Sequence, residues 1–332
     1  MNYQDFTIII PEHNRPDHLR RLLDYYLSKK VKVIVSDSSK YKFKYLNLYE
    51  DKIIYKYYPA VDLAKKIVNV FEYITTPYVV MCANDDFIIP HAIEKITVFL
   101  NENLDYNSGQ GYYYDFTPNK LNTINYRYPQ LRNGVNNSPN PKIRYFKLMK
   151  AYYQYYYAVY RTDIFKETYK SVLINGKSKI KNLCLLEIYT AIYPCIKGKH
   201  YILKDFYALR ENDSFSIAHF VDNYIQLINN EKEQTEINFF KKQLSILLSD
   251  IKYIDYLQSY SIIEEGLNLY EKQIRICKLN IIIKYFLKIV LKSNLWKDKE
   301  LRHVIKYENS KKELKNIMSF IKKYYAECYI LK

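Results

Sequence analysis

Glycine is scarce in this sequence, with 6 residues among 332, and no glycine-rich phosphate-binding motif is present. No GxGxxG follows the first predicted strand, and GxxxxGK[ST] occurs nowhere. Dinucleotide-dependent oxidoreductases use the first motif and P-loop enzymes use the second, because glycine lets the backbone approach a phosphate closely. Neither class is supported, so any phosphate bound here needs a metal ion or Lys and Arg side chains.

Cysteine and long apolar segments are also limited. The 5 cysteines include no CxxC pair and make an odd total, which indicates neither a disulfide framework nor a zinc site. No run of about 18 apolar residues occurs, so no transmembrane helix is expected. The polar residues 2–5 lead directly into a strand, which argues against a signal peptide. We therefore expect a cytoplasmic protein.

Positive charge and tyrosine are abundant. The formal net charge of +16 is compatible with nucleic acid, an anionic membrane surface or a phosphorylated substrate. The 39 tyrosines accompany many Lys, Ile and Asn residues, a composition that AT-rich coding can produce, so they carry no functional information.

Buried strands alternate with helical segments in the first third of the chain. Runs rich in apolar, β-branched residues at 6–10, 33–35 and 78–82 are typical of strands covered on both faces. Between the first two runs, apolar residues recur at helical spacing after Pro16. This alternation predicts an α/β fold, Rossmann-like, with a mostly parallel sheet flanked by helices.

Four polar segments follow these strands, at residues 12–15, Asp37, Asp62 and residues 84–86. Because α/β sheets bind ligands beyond the carboxyl ends of their strands, we expect the four segments to converge on one crevice. Asp85 and Asp86 repel each other after a buried strand, so a cation shared with substrate phosphates is one explanation for them. The alternative is a solvated turn that caps a helix beginning near His91.

Three motifs resemble one enzyme family over about residues 5–115. They read TIIIPEHNRPDHLRRLL, IVSDSS and YVVMCANDDFIIPHAI. In this order they are similar to the amino-terminal half of GT-A fold nucleotide-sugar glycosyltransferases, in particular family 2 and related bacterial glycan enzymes. The resemblance implies transfer of a sugar from a nucleotide-sugar donor to a bacterial surface glycan, either polysaccharide, lipooligosaccharide or glycoprotein, with a glycan or lipid-linked acceptor.

The resemblance also implies roles for individual residues. The residues that it assigns to the nucleotide sugar are Pro11, His13, Asn14, Arg15 and Asp37, to which we add Asp62, Asn84 and Asp85. It maps the acidic motif that binds a divalent cation, Mn²⁺ or Mg²⁺, onto Asn84, Asp85 and Asp86, and we expect Asp85 and Asp86 to be the metal ligands. The chain has Ala83 and Asn84 where relatives often have acidic residues. Either Asp85 and Asp86 hold the metal alone or metal dependence is weakened, and we expect a metal.

Glu187 and Arg210 are the candidate catalytic residues. Glu187 lies within an apolar helical run, where desolvation would raise its pKa toward a value useful for a general base. The resemblance places an acceptor-activating Asp or Glu near this point, whereas the alternative is a structural ion pair with Lys181 or Arg210. Arg210 is expected to stabilise the departing diphosphate, with His219 as an alternative.

Arg161 follows an aromatic run and precedes a predicted helix. In the enzymes that the chain resembles, a similar segment precedes the helix on the acceptor side. Arg161 is therefore a candidate phosphate contact, included in the nucleotide-sugar set. An ion pair with Asp163 or Glu167 at the start of the helix explains it nearly as well.

The composition changes near residue 220 toward Lys, Glu, Ile and Leu. We predict a catalytic domain over residues 1–219 and a helical region over residues 220–332. Within the latter, Lys284, Lys288 and Lys292 share one face of an amphipathic segment. That segment could lie on the anionic inner face of the plasma membrane, or pack on the catalytic domain or on a second protomer of a homodimer.

Two alternative functions fit the sequence less well. A nucleotidyltransferase shares the α/β layout and the metal-binding carboxylates, but it needs a glycine-rich lysine motif that PEHNRPDH lacks. Polyanion or nucleic-acid binding fits the charge, but the lysines are dispersed and no recognition motif occurs. We therefore expect no nucleic-acid partner.

Overall fold

A computed structural model describes most of the chain. The described residues are 4–118, 124–133, 136–212, 227–252, 254–291 and 308–330. The predicted domain boundary at residue 219, and His219 itself, lie outside these residues.

Within the described ranges, nine of eleven strands form one mixed sheet at the centre of the molecule. The strands are β1 (Phe6–Glu12), β2 (Lys32–Asp37), β3 (Ile54–Tyr57), β4 (Tyr78–Met81), β5 (Phe87–Ile88), β6 (Tyr106–Phe116), β7 (Ile124–Arg127), β8 (Val159–Arg161), β9 (Leu173–Ile174), β10 (Lys177–Ser178) and β11 (Lys199–Glu211). The strand order in the sheet is β3-β2-β1-β4-β8-β6-β11-β5, with β7 paired to β6, while β9 and β10 form a separate hairpin.

The first four strands in this order are parallel, as the alternating sequence pattern predicts. The strand β8 then runs antiparallel to both β4 and β6, and β5 runs antiparallel to β11. The α/β class is confirmed, and the sheet has two parallel parts: β3, β2, β1 and β4 form one, and β6 and β11 form the other. Both β1 and β4 are buried along almost their whole length, which explains their continuous apolar runs.

Helices cover both faces of this sheet. They are α1 (Pro16–Leu27), α2 (Leu63–Val68), α3 (Pro90–Glu102), α4 (Pro141–Lys150), α5 (Thr162–Lys170), α6 (Leu183–Lys197), α7 (Gln234–Lys252), α8 (Tyr256–Leu291) and α9 (Glu308–Ile330). Pro16 occupies the first turn of α1, where its missing N–H is tolerated, and Asp17 lies in the same turn. The predicted apolar stripe of α1 is buried at Leu19, Leu22 and Leu23.

The last helices pack against the α/β part of the chain. The Tyr145 hydroxyl on α4 donates to the carbonyl of Ile263 on α8 at 2.7 Å. On α9, the ring of Phe320 lies 5.9 Å from that of Tyr25 on α1 and 6.4 Å from that of Phe87 on β5. The side chains of residues 277–291, and Lys292, lie outside the described part, so the membrane and homodimer interpretations of that segment stay predictions.

Among the described residues, none of the helices combines the length and apolar content that crossing a bilayer requires.

Gly111 lets β6 pass close to β11, the strand that carries Arg210. A Cβ atom at this position would lie 2.7 Å from the Cβ atom of Tyr207 and 2.8 Å from the carbonyl oxygen of Asp205. Neither neighbour can rotate away, so we expect Gly111→Ala to lower the free energy of unfolding by about 1–3 kcal/mol. Urea denaturation would measure the change.

Gly176→Ala is the matched control, because nothing lies within 4 Å of the position that an added Cβ atom would take, although the φ of Gly176 is +68°. We expect it to cost only about 1 kcal/mol through the left-handed backbone. Equal losses for the two variants would contradict the close approach of β6 and β11.

Candidate active site

The carboxyl ends of β1, β2 and β4 lie at one edge of the sheet. Glu12 at the end of β1 is paired with Asp37 at the end of β2. Ile9 is paired with Met81, so continuing this register by three residues brings Asn84 level with Glu12. The polar segments after these three strands therefore lie side by side.

Asp37 lies at the base of a cleft beyond β2. Its Oδ1 accepts a hydrogen bond from the Ser39 backbone N at 2.7 Å, and its Oδ2 accepts from the Tyr55 hydroxyl at 2.5 Å. The cleft has a volume of about 350 Å³. Its lining includes Asn14, Asp37, Tyr41, Lys42, Phe43 and Lys44. Aromatic and basic groups thus surround a fixed carboxylate, a setting suited to a nucleotide.

The loop after β1 is tied to the loop after β2. Nδ1 of His13 lies 3.1 Å from the Ser38 Oγ. Asn14 adopts a φ of 56° and accepts a hydrogen bond from the Lys40 backbone N at 2.9 Å through its Oδ1. Pro11 lies within β1, paired with Ser36. His13 and Asn14 therefore hold one wall of the cleft in place.

Glu12 links this wall to the acidic turn formed by residues 84–86. Its Oε2 accepts a hydrogen bond from the Asn84 Nδ2 at 2.5 Å, and its Oε1 accepts from the Arg15 backbone N at 2.6 Å. Burial raises the pKa of the Glu12 carboxyl. An aspartate at position 84 would face this carboxylate and repel it, whereas an amide donates to it. The departure from the family pattern at Asn84 thus has a local cause.

Lys66 lies beneath the same junction, almost completely buried. Its ammonium donates to the Glu12 carbonyl oxygen at 2.6 Å and to the Ser38 Oγ at 3.1 Å. Burial lowers the pKa of Lys66 to about 8. A cation therefore supports the Glu12 and Asp37 carboxylates from the interior of the sheet.

Asp85 is the accessible member of the acidic turn. Its carboxylate forms an ion pair with the Arg15 guanidinium, and the two side chains are 23% and 39% exposed. Its carbonyl oxygen accepts a hydrogen bond from the Arg21 Nη2 at 3.0 Å. The turn does not cap α3, because that helix begins at Pro90 and its N-terminus has no side-chain cap.

Asp86 is buried against Arg210. Its Oδ2 accepts a hydrogen bond from the Arg210 Nε at 3.0 Å, and its Oδ1 accepts from the Glu211 backbone N at 3.1 Å. The pairing of Phe87 with Leu209 across β5 and β11 places Asp86 beside Arg210. Burial raises the pKa of Asp86 to about 7, although the guanidinium opposes the rise.

Glu187 reaches Arg210 through one intervening side chain. The Gln154 Oε1 accepts a hydrogen bond from the Arg210 Nη1 at 2.5 Å, and the Gln154 side chain is also hydrogen-bonded to Glu187. Oε1 of Glu187 accepts from the Tyr152 hydroxyl at 3.3 Å. Burial raises the pKa of Glu187, as expected for a carboxyl group within an apolar helix. Neither Lys181 nor Arg210 forms a direct ion pair with it among the described residues.

The oxygen atoms of the acidic turn suit a hard cation only in part. Within the described ranges, no three His, Cys, Asp or Glu side chains are grouped so as to hold a metal ion. Mg²⁺ is nevertheless often bound by one or two carboxylates, with substrate phosphates and water as its other ligands. Asp85, partly exposed, fits that arrangement for a metal that arrives with a diphosphate. The adjacent Asp86 is buried and both of its carboxylate oxygens already accept a hydrogen bond, so each has one lone pair left for a metal.

Two predicted site residues lie elsewhere. Arg161 is at the amino end of β4, paired with Tyr78, because β8 runs antiparallel to β4. Its guanidinium donates to the carbonyls of Leu100 and Tyr106 and so closes the end of α3. The structure thus does not bring Arg161 to the acidic turn or to the Asp37 cleft. Among the described residues its guanidinium contacts backbone carbonyls and not Asp163 or Glu167.

Asp62 has a structural role. Its Oδ1 accepts hydrogen bonds from the Lys65 backbone N at 3.0 Å and from the Ser178 Oγ at 2.5 Å. It therefore caps α2 and fixes the β9–β10 hairpin, and it does not face the cleft beside Asp37.

Several residues of the site were given no individual role from the sequence. They are Glu12, Arg21, Lys66, Gln154 and Glu211. Glu12 belongs to the polar segment after β1 that we expected at the crevice. Lys66 contacts Glu12, and the others contact the acidic turn, Arg210 or Glu187 from distant parts of the chain, so no local pattern distinguishes them.

The fold and this site define a class. An acidic turn after the fourth strand, next to a cleft that contains the Asp37 carboxylate, is the arrangement that the resemblance to GT-A fold glycosyltransferases predicts. Residues 7–168 match the family model described as Glycosyl transferase family 2. The match covers just under half of the chain and includes the acidic turn. Residues 7–168 are thus similar to a glycosyl transferase family 2 domain, and the chain is a glycosyltransferase.

Solved structures of similar proteins include S. aureus TarS 1-349. It is 14% identical, with 83% of this chain and 91% of the TarS chain covered and a TM-score of 0.47. TarS 1-349 in complex with UDP-GlcNAc is 12% identical, with 84% and 92% covered and a TM-score of 0.46. Because both TM-scores are below 0.5, the family match and the site geometry carry the classification. No curated protein matches the chain.

The position of Arg161 predicts a stability defect without a binding defect. Arg161→Met removes charged hydrogen bonds to the last carbonyls of α3, so we expect it to cost about 2 kcal/mol of unfolding free energy. Nucleotide-sugar affinity should stay unchanged in calorimetric titrations. Arg15→Met is the matched control, since the Arg15 guanidinium pairs with Asp85 at the acidic turn and should affect binding more than folding. Weaker donor binding by a stably folded Arg161→Met variant would contradict this assignment.

Proposed function

We propose that this glycosyltransferase moves a sugar from a nucleotide-sugar donor to a hydroxyl group of a bacterial surface glycan by inverting displacement. The observation that carries the proposal is the hydrogen-bonded series from Glu187 through Gln154 and Arg210 to Asp86. It places a candidate base, a cation for the leaving group and the acidic turn next to one another.

The donor would occupy the edge of the sheet between the Asp37 cleft and the acidic turn. The nucleoside would lie against Asp37 and the aromatic wall of the cleft. The diphosphate would reach Asp85, Asp86 and Arg15. Mn²⁺ or Mg²⁺ held by Asp85 and Asp86 would supply charge stabilisation to the diphosphate oxygens. Release of Arg15 from Asp85 would free both groups for the ligand.

The transfer step would use Glu187 and Arg210. Glu187 takes the proton of the acceptor hydroxyl as that oxygen forms a bond to the anomeric carbon. The bond between the anomeric carbon and the diphosphate oxygen breaks on the opposite face, and the electron pair leaves with the diphosphate. Arg210 offsets the developing negative charge because its guanidinium already lies in a buried, low-dielectric setting.

We further propose that the acceptor is reached in the cytoplasm, at the inner face of the plasma membrane. The net charge of +16 and the lysine face at residues 284, 288 and 292 support attraction to anionic lipid. A homodimer that covers the same face is the competing proposal. Cosedimentation with anionic vesicles and measurement of the mass in solution distinguish the two.

A nucleotide-sugar panel tests the proposed activity. The protein is incubated with Mn²⁺ and sugars linked to uridine, guanosine, cytidine and thymidine nucleotides, and release of free nucleotide is followed. We expect slow hydrolysis of one donor without acceptor, which chelation by EDTA suppresses. No release from any donor, with intact folding by circular dichroism, would contradict the proposal.

Glu187→Gln should lower the rate of sugar transfer by about 10²–10⁴-fold, because the amide cannot accept the acceptor proton. A general base acts as the carboxylate, and burial raises the pKa of Glu187 above 4.5. The wild-type rate should therefore fall as the pH drops through that raised pKa, and the variant should lack this acidic limb. The control is Glu167→Gln on α5, whose carboxylate pairs with Lys197 at the surface. A variant that keeps the acidic limb would exclude Glu187 as the base.

Asp85→Asn should separate metal binding from folding. We expect donor hydrolysis to fall by about 10²–10³-fold, because a charged metal ligand is lost, while the melting temperature changes little for this partly exposed side chain. Hydrolysis and melting are measured on the same preparation. Asp105→Asn, which breaks a surface pair with Lys199, is the control. Unchanged hydrolysis in Asp85→Asn at limiting Mn²⁺ would remove Asp85 from the site.

A further inference from the structure

A buried ion pair between Arg21 and Glu211 contacts the acidic turn. The Arg21 side chain on α1 is 1% exposed, and its Nη1 lies 2.6 Å from the Glu211 Oε2 at the end of β11. A guanidinium in this setting needs several acceptors to offset its lost hydration. The Glu211 carboxylate therefore compensates the buried charge of Arg21, and each side chain fixes the position of the other.

Each member of this pair also contacts the acidic turn. The Arg21 Nη2 donates to the Asp85 carbonyl oxygen at 3.0 Å, and the Glu211 backbone N donates to the Asp86 Oδ1 at 3.1 Å. One contact fixes the backbone of the turn and the other fixes a candidate metal ligand. Because a guanidinium is a planar fork, a shift at Glu211 moves the Asp85 carbonyl as well.

The hydroxyl of Tyr325 on α9 is hydrogen-bonded to both members of this pair. It accepts a hydrogen bond from the Arg21 Nη1 at 2.7 Å and lies 3.0 Å from the Glu211 Oε2, to which it donates. Two other contacts hold α9 in place nearby. The Phe320 ring packs against Phe87 of β5, and the Glu313 carboxylate lies 3.7 Å from the Lys29 ammonium. A residue of the carboxyl-terminal helical region thus contacts both groups that fix the acidic turn.

We propose that Tyr325 is a positioning residue for the metal and diphosphate site. Through Arg21 and Glu211 it fixes the Asp85 carbonyl and the Asp86 carboxylate in the orientation that a shared cation requires. This inference rests on the proposed function, since it assigns α9 to the same site. It makes the helical region part of the catalytic unit, in addition to any role at a membrane or with an acceptor.

Tyr325→Phe tests the proposal in the full-length protein. It removes one hydroxyl group and keeps the aromatic ring, so the helix stays packed. We expect Mn²⁺ affinity, measured by the electron paramagnetic resonance signal of free Mn²⁺ with and without pyrophosphate, to fall about tenfold or more, as is typical for partners that orient metal ligands. The Mn²⁺ concentration that half-activates donor hydrolysis should rise by the same factor.

Tyr324→Phe is the matched control. Its hydroxyl, on the adjacent residue of α9, donates to the carbonyl of Asp17 at 2.9 Å, on the surface of α1. We expect Mn²⁺ binding and half-activation of this variant to match those of the wild type. A general loosening of α9 would lower the melting temperature of both variants and leave their Mn²⁺ affinities equal.

The outcomes separate this inference from the proposed function. Wild-type protein that hydrolyses no nucleotide sugar contradicts the proposed function. Wild-type protein that is active and binds Mn²⁺ while Tyr325→Phe binds it equally well overturns the role of Tyr325. If Tyr325→Phe melts at a lower temperature, the rise in melting temperature on adding Mn²⁺ and pyrophosphate still measures binding. An unchanged rise would then count against the proposal.

Discussion

The buried ion pair between Asp86 and Arg210 is the constraint on which the site depends. Two charged groups placed within a sheet are tolerated only when their remaining hydrogen-bonding atoms find partners, and here those partners are Glu211, Gln154 and Tyr128. Each partner belongs to a different segment of the chain. Satisfying one ion pair thus brings the end of β11, the loop before β8 and the segment after β7 to the same place.

A second buried charge, that of Lys66, lies at the ends of β1 and β2 beside the Asp37 cleft. The Lys66 ammonium, beneath Glu12, opposes the negative charge that Glu12 and Asp37 would otherwise concentrate at the ends of β1 and β2. Asn84 then connects the acidic turn to the end of β1, because its amide can donate a hydrogen bond to Glu12 and a carboxylate could not. The acidic turn has an amide at position 84, where relatives often have a carboxylate, because the neighbouring Glu12 carboxylate would repel a second negative charge.

The sequence allowed prediction of the parts of the fold in which local pattern and tertiary environment agree. Strands β1, β2 and β4 contain buried apolar runs because both faces are covered, so these runs and the polar residues that follow them were visible in the sequence. The register between them then follows from the parallel pairing. The antiparallel direction of β8 leaves no local trace, and for that reason the sequence did not indicate that Arg161 lies at the amino end of β4.

The contact between Arg21 and Tyr325 joins residues 304 positions apart, a separation that no sequence pattern spans. Long-range contacts are slow to form, since the chain must lose the entropy of a large loop before any favourable contact compensates. In a growing polypeptide, the helix that carries Tyr325 leaves the ribosome long after β4 and β11. Assembly of the acidic turn would then be among the last events of folding, and a nascent chain would acquire donor affinity only after the segment that carries Tyr325 has emerged.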